Sequence, residues 1–180
     1  MPNFYSKHGS FFISSAIDKY IYVTVKRNIL ENIVRCQYLS TEIVSSVSEL
    51  QHDRARACLQ NFNIDKSIEV CSIADLPAGS GRGSSGSYIV ALLTCLSRLE
   101  KISMSRHEIA SLACKIEMED LNKPVGKQDQ FIAAYGGIQK FSIDKLGNVS
   151  AEPLLLSSHE DFLENIQLYY TNVTRSASDI

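Results

Sequence analysis

The chain carries no excess of charge and no cluster of one sign. Its 180 residues hold 18 lysines and arginines against 20 aspartates and glutamates, a formal net charge of -2, with the basic residues scattered. That balance gives no electrostatic footprint for nucleic acid or for an anionic membrane, so neither is expected as a partner. No apolar run approaches the ~18 residues of a transmembrane helix, and the start MPNFYSKHGS lacks the basic-then-apolar order of a signal peptide, so a cytoplasmic location is expected. The sequons at Asn148 and Asn172 are then chance matches. The five cysteines, at 36, 58, 71, 95 and 114, are odd in number and form no C-x-x-C, which argues against a disulfide framework or a zinc site. His8, His52, His107 and His159 have no spaced partners and read as ordinary histidines. Internal repeats, low-complexity tracts and linkers are also missing.

What is present suits one domain, since 44% of the residues are hydrophobic. Alternating, β-branched and aromatic segments predict strands near 11–16 and 19–27, paired as a hairpin, and further strands at 33–39 and 67–73. A helix is expected over 47–62. Ile89, Leu92, Leu93, Leu96 and Leu99 keep a helical apolar spacing, and Ile109, Leu112, Ala113 and Ile116 repeat it, so two consecutive helices should pack on the sheet. GKQDQFIAAYGG, residues 126–137, predicts a short helix stopped by a glycine pair. GIQKFSI and NIQLYYTNV supply two more strands around a polar turn at 145–148. Blocks of strands and helices rather than strict alternation indicate an α+β fold.

The most informative stretch is DLPAGSGRGSSGSYIVALL, residues 75–93, which crowds four glycines and four serines into thirteen positions and then becomes a helix. Free backbone N–H groups at a helix start, approached closely through glycine, suit phosphate. No lysine stands where the Walker pattern requires one. Gly81 to Gly86 matches the G-x-G-x-x-G of dinucleotide folds, but helix follows helix here where that fold needs a second parallel strand. A protein-kinase glycine loop lies between two strands, and a flexible linker predicts no abrupt helix.

Pro77-Ala78-Gly79-Ser80-Gly81-Arg82-Gly83-Ser84-Ser85 resembles the P-x-x-x-G-L-G-S-S motif of the GHMP kinases, and Ile116 to Gly137 resembles that family's magnesium-site helix and the aspartate-bearing segment after it. The phrases AIDKYIYVTV, SIADLPAGSG, PVGKQDQ, YGG and YYTNVTRSAS are closest to its D-glycero-D-manno-heptose 7-phosphate kinases. The resemblance implies a ribosomal-protein-S5-domain-2-like fold and ATP-dependent phosphorylation of the anomeric hydroxyl of a heptose 7-phosphate. ATP and a small phosphorylated sugar would be its partners; oligomeric state is left open. Another sugar 1-kinase, of galactose or fucose type, or a non-catalytic paralogue that binds nucleotide or sugar, is the alternative. Set beside the family, the chain is expected to lack the first strand with its Thr-Asp turn and the C-terminal domain, to be cut from something longer, and to show little activity alone. Arg82 stands where the motif has leucine.

Carried over residue by residue, the resemblance puts the triphosphate on residues 77 to 85, Mg²⁺ on Ser84 or Ser85 with Glu117, and the sugar hydroxyl on Asp129 as base or orienting group. Periodicity alone sets Glu117 and Glu119 alike at the margin of an apolar helix face, and only the motif selects Glu117. Lys127, beside Asp129, is expected to keep that carboxylate ionised and to steady transferring charge. Arg175 is a candidate for an anionic group on the sugar, since arginine suits phosphate.

Overall fold

The computed structural model describes residues 2–76, 83–155, 164–167 and 169. In chain order these form α1 (Pro2–His8), β1 (Ser10–Ser15), β2 (Ile21–Arg27), β3 (Val34–Gln37), β4 (Thr41–Val44), a 3₁₀ turn (Val47–Glu49), α2 (Asp53–Asn61), β5 (Ile68–Ala74), α3 (Ser84–Leu99), α4 (Arg106–Lys115), a π-helical turn (Ile116–Asp120), α5 (Gln128–Tyr135), β6 (Ile138–Ile143) and β7 (Val149–Pro153). The fold is α+β, as the blockwise pattern indicates. A four-stranded sheet has the order β2-β5-β3-β4, and a three-stranded one the order β1-β6-β7. All pairs are antiparallel except β3 with β5, whose connection crosses over through α2.

β1 and β2 do not form the expected hairpin. β1 pairs with β6 and β2 with β5, because their inward side chains belong to two separate apolar clusters. Val23 and Val25 pack with Ile89, Leu92 and Leu93 of α3 against Val34, Ile68 and Val70, whereas Phe12 joins Phe131 and Phe141 in the smaller cluster. The helix expected over 47–62 is broken at 50–52. There the Glu42 carboxylate takes the backbone N–H of Gln51 and of His52 (3.0 Å for His52), and His52 Nδ1 caps α2 by accepting from Ala55 N at 3.1 Å. Sequence reasoning missed α1, β4 and β7. The turn at Asp144–Asn148 closes so tightly, with the Asp144 carboxylate accepting from Leu146 N and Asn148 N, that β7 begins at Val149. The strand expected over 165–173 falls mostly outside the described residues; 165–167 and 169 are not in a strand.

The elements that matter below meet at two helix starts. α5 lies against both α3 and α4, and the glycine pair Gly136–Gly137, with φ +72° and +63°, ends α5 as expected. Among the described residues no helix is long and apolar enough to cross a membrane.

Candidate functional site

Residues 77 to 82 of the glycine-rich stretch lie outside the described residues, as does Arg175. The stretch is visible from Gly83, which sits in the left-handed region (φ +69°) as the N-cap of α3. There it meets the start of α5. A Cβ on Gly83 would stand 3.1 Å from Cβ and Cγ of Asp129, and one on Gly86 would stand 3.2 Å from Asp129 Cβ and from Gln130 N. The two glycines therefore let α5 seat Asp129 directly against the first turn of α3, where unpaired backbone N–H groups gather.

The third part of the site comes from the π-helical turn. Leu121 N donates to Ile116 O, five residues back, and this wider turn ends at Asn122 in the left-handed region, just before Pro124. The turn swings Glu117 inward until it is 1% exposed, while Glu119 stays exposed. An unbroken α-helix would have left both at the margin, as periodicity suggested; the π turn separates them. Glu117 is buried with partners on both oxygens: Oε1 accepts from Ser85 Oγ and from Arg54 Nε (3.4 Å), and Oε2 accepts from Gln130 Nε2 at 2.6 Å. Arg54 Nε also donates to Ser85 Oγ, and its Nη1 reaches Asp53 Oδ1 at 3.2 Å. Asp53 Oδ2 in turn pairs with Lys123 Nζ at 3.1 Å.

Asp129 is half-buried, and burial, with the negative charge of Glu117 as a second cause, raises its pKa above the ordinary carboxylate range, a hydrogen bond from Gln128 opposing. Lys127 is not among the groups that set this shift, so the expected role of Lys127 in holding Asp129 ionised is not met. Lys127 Nζ points away, donating to Gly147 O at 2.6 Å and lying 5.5 Å from the centre of the Tyr5 ring. The reason is local: Lys127 caps α5, so adjacent side chains leave the helix start in different directions.

Beside this cluster opens a pocket of about 540 Å³. Tyr38, His52 and Tyr88 form one wall, Ile21, Leu39, Ile73 and Leu76 the apolar remainder, and Arg54, Ser84 and Ser85 close the polar end. His52 lies edge-on to Tyr38 and 4.9 Å from Tyr88, and burial lowers its pKa, which favours the neutral ring. A flat, largely apolar ligand with a polyanionic tail directed at Ser84 and Ser85 suits such a shape.

Of the residues that sequence reasoning named, Ser84, Ser85, Glu117 and Asp129 are brought together by the fold across 46 residues of chain; Arg54, His52, Tyr38, Tyr88 and Gln130, which stand beside them, were not named. Arg54 gave no signal, being one polar residue on an amphipathic helix. Tyr88, four residues after Ser84 and so one turn along the same helix, was the one legible hint.

As to a metal ion, the described residues contain no group of three or more His, Cys, Asp or Glu able to hold one. The Ser85 hydroxyl and the Glu117 carboxylate are nevertheless hard oxygen ligands in contact, and a magnesium ion needs few protein ligands because it keeps waters and takes phosphate oxygens. The donor set therefore fits Mg²⁺ bound together with a phosphate group rather than alone.

The family model described as "GHMP kinases N terminal domain" matches residues 44–137. The chain is 27% identical over 97% of its length to a D-glycero-alpha-D-manno-heptose 7-phosphate kinase of Campylobacter jejuni, of which it covers 55%. Its fold is similar to that of a D-glycero-D-manno-heptose 1-phosphate kinase from Bacteroides thetaiotaomicron, with a TM-score of 0.74 at 24% identity over 83% of this chain and 53% of that one. It is also similar to Lactococcus lactis galactokinase complexed with galactose, with a TM-score of 0.67 at 18% identity over 87% of this chain and 45% of that one. The chain thus spans about half the length of these relatives.

Proposed function

From the membership of this chain in the GHMP kinase family, we propose that it carries the nucleotide-binding and phosphoryl-transfer half of an ATP-dependent sugar kinase acting on the anomeric hydroxyl of D-glycero-D-manno-heptose 7-phosphate. The observation that carries the reading is the seat of Asp129 against Gly83 and Gly86, at the same helix start whose Ser85 touches Glu117. Phosphoryl transfer asks a protein for a cradle, a charge-bearing metal site and a positioned hydroxyl, and these three functions fall on adjoining residues here.

In this reading the aromatic pocket takes the adenosine, and the stretch from Gly79 to Ser85 offers backbone N–H groups to the triphosphate. Ser85, with Ser84 beside it, and Glu117 hold Mg²⁺, which when bound neutralises charge on the phosphates. Asp129 accepts the proton of the sugar hydroxyl and aims it at the γ-phosphate. A carboxylate with a raised pKa is a better base than an ordinary one, because proton transfer to it is less uphill. Lys127, turned toward Gly147, has no part in this step; its contact with Tyr5 instead ties α5 to α1. Arg175 stays the proposed partner of the sugar's 7-phosphate.

Two measurements test the proposal. Mg²⁺-ATP binding by calorimetry should weaken at least tenfold in Glu117→Gln and stay unchanged in Glu119→Gln, since only the former faces Ser85; equal effects would remove Glu117 from the metal. The complete gene product, given ATP and a panel of sugars, should turn over heptose 7-phosphate in preference to unphosphorylated heptose, galactose or fucose. A site built for a dianion leaves cations unpaired when the phosphate is missing. Preference for an unphosphorylated sugar would replace the substrate, and no turnover of any would favour a non-catalytic binding protein.

A further inference from the structure

Arg54 occupies an unusual place. Its Nε donates to both Ser85 Oγ and Glu117 Oε1, the two groups that a divalent ion would have to take, and its Nη1 is anchored on Asp53 Oδ1. A carboxylate that is 1% exposed needs a counter-charge, and the guanidinium is the only cation paired with Glu117 among the described residues. The Arg54 side chain itself remains 28% exposed, on the polar wall of the pocket, so a path to solvent is open to it. Arg54 thus bridges Asp53 and Glu117, and Lys123 pairs with Asp53 from the other side.

Resting on the proposed metal role of Ser85 and Glu117, we infer that Arg54 is the protein's own cation at this pair, held there while metal is absent and displaced when a divalent ion arrives. The exchange gives the buried Glu117 carboxylate a partner in the metal-free state. It also makes Arg54 a positioning residue, since its guanidinium holds the Ser85 hydroxyl and the Glu117 carboxylate in contact before binding. Because Arg54 already occupies the Ser85 and Glu117 oxygens, a free divalent ion must compete with an internal charge. An ion arriving with nucleotide phosphates brings its own compensation. The anchor on Asp53 keeps the released guanidinium beside the pocket, where it can face those phosphates.

The experiment uses Mn²⁺ as the probe, read by electron paramagnetic resonance on the purified protein without nucleotide. Arg54→Gln should bind Mn²⁺ at least tenfold more tightly than the parent, because the competitor is gone, whereas a residue that merely stabilises the fold would loosen or not change binding on removal. Unchanged or weaker Mn²⁺ binding by a folded Arg54→Gln overturns the inference. A second measurement needs no variant: the side-chain Nε–H resonance of Arg54 in the parent protein should shift toward the solvent-exposed position on titration with Mg²⁺ and ATP. If it stays fixed at saturation, displacement does not occur. Glu117→Gln separates the two readings. If it leaves Mn²⁺ binding intact, the metal role itself fails and the inference with it; if it abolishes binding while Arg54→Gln does not tighten it, only the exchange is refuted.

Discussion

Asp129→Asn is expected to lower turnover of the complete gene product by roughly two to four orders of magnitude, the scale of a lost general base, while nucleotide binding changes little. The asparagine amide is nearly isosteric, so it can keep the seat against Gly83 and Gly86. The same substitution should stabilise the protein at neutral pH. The folded-state pKa of Asp129 is raised, so its contribution to stability is fully present below the unfolded value and is lost as pH rises through the folded one. Asparagine never ionises and escapes that loss. Thermal denaturation at pH 7 should show a small gain in melting temperature, and the gain should vanish in acid where the aspartate is protonated. A loss of turnover below tenfold would remove Asp129 from the chemistry, and a destabilised variant at pH 7 would show that its charge is compensated in the fold.

The second large effect is expected at Gly83. A Cβ there meets two penalties at once: a φ of +69°, costing of order 1–3 kcal/mol for a residue other than glycine, and contacts at 3.1 Å with Cβ and Cγ of Asp129, which lie close to the α5 backbone and have little freedom to yield. Gly83→Ala should therefore lower stability by about 2 kcal/mol. Gly83→Val, which is β-branched, should abolish ATP binding, measured by calorimetry on the folded fraction. The informative comparison is kinetic. Because the added carbon presses on Asp129 rather than only on the phosphate loop, Gly83→Ala should reduce kcat as well as raise KM for ATP, and a change in KM alone would show that the two helix starts are independent.

These two predictions rest on residues that the sequence made visible to different degrees. The glycine-serine stretch and the Q-D-Q segment could be picked out because each packs its chemistry into consecutive positions. The helices after the glycine stretch were equally plain, since burial on one face imposes their spacing. Pairing was not legible: whether β1 meets β2 or β6 depends on which apolar cluster each inward face joins, and alternation reads the same in either case. Arg54 and Gln130 were hidden for a related reason. Their importance comes from a carboxylate 63 and 13 residues away, and nothing local to either position records that partner. Lys127 shows the opposite error, a neighbour in sequence that is no neighbour in charge.

The widened turn at Ile116–Asp120 also has a meaning in the language of insertions and deletions. Relative to an α-helix it holds one surplus residue, with Leu121 bonded to Ile116 instead of to Glu117. Removing any single codon from this stretch would let the helix regain its regular winding, and every side chain beyond the cut would rotate by about 100° relative to those before it. Glu117 and the start of α5 would then no longer converge on Ser85. The number of residues in this turn, as much as the identity of Glu117 within it, is therefore what ties the buried carboxylate to the helix that carries Asp129.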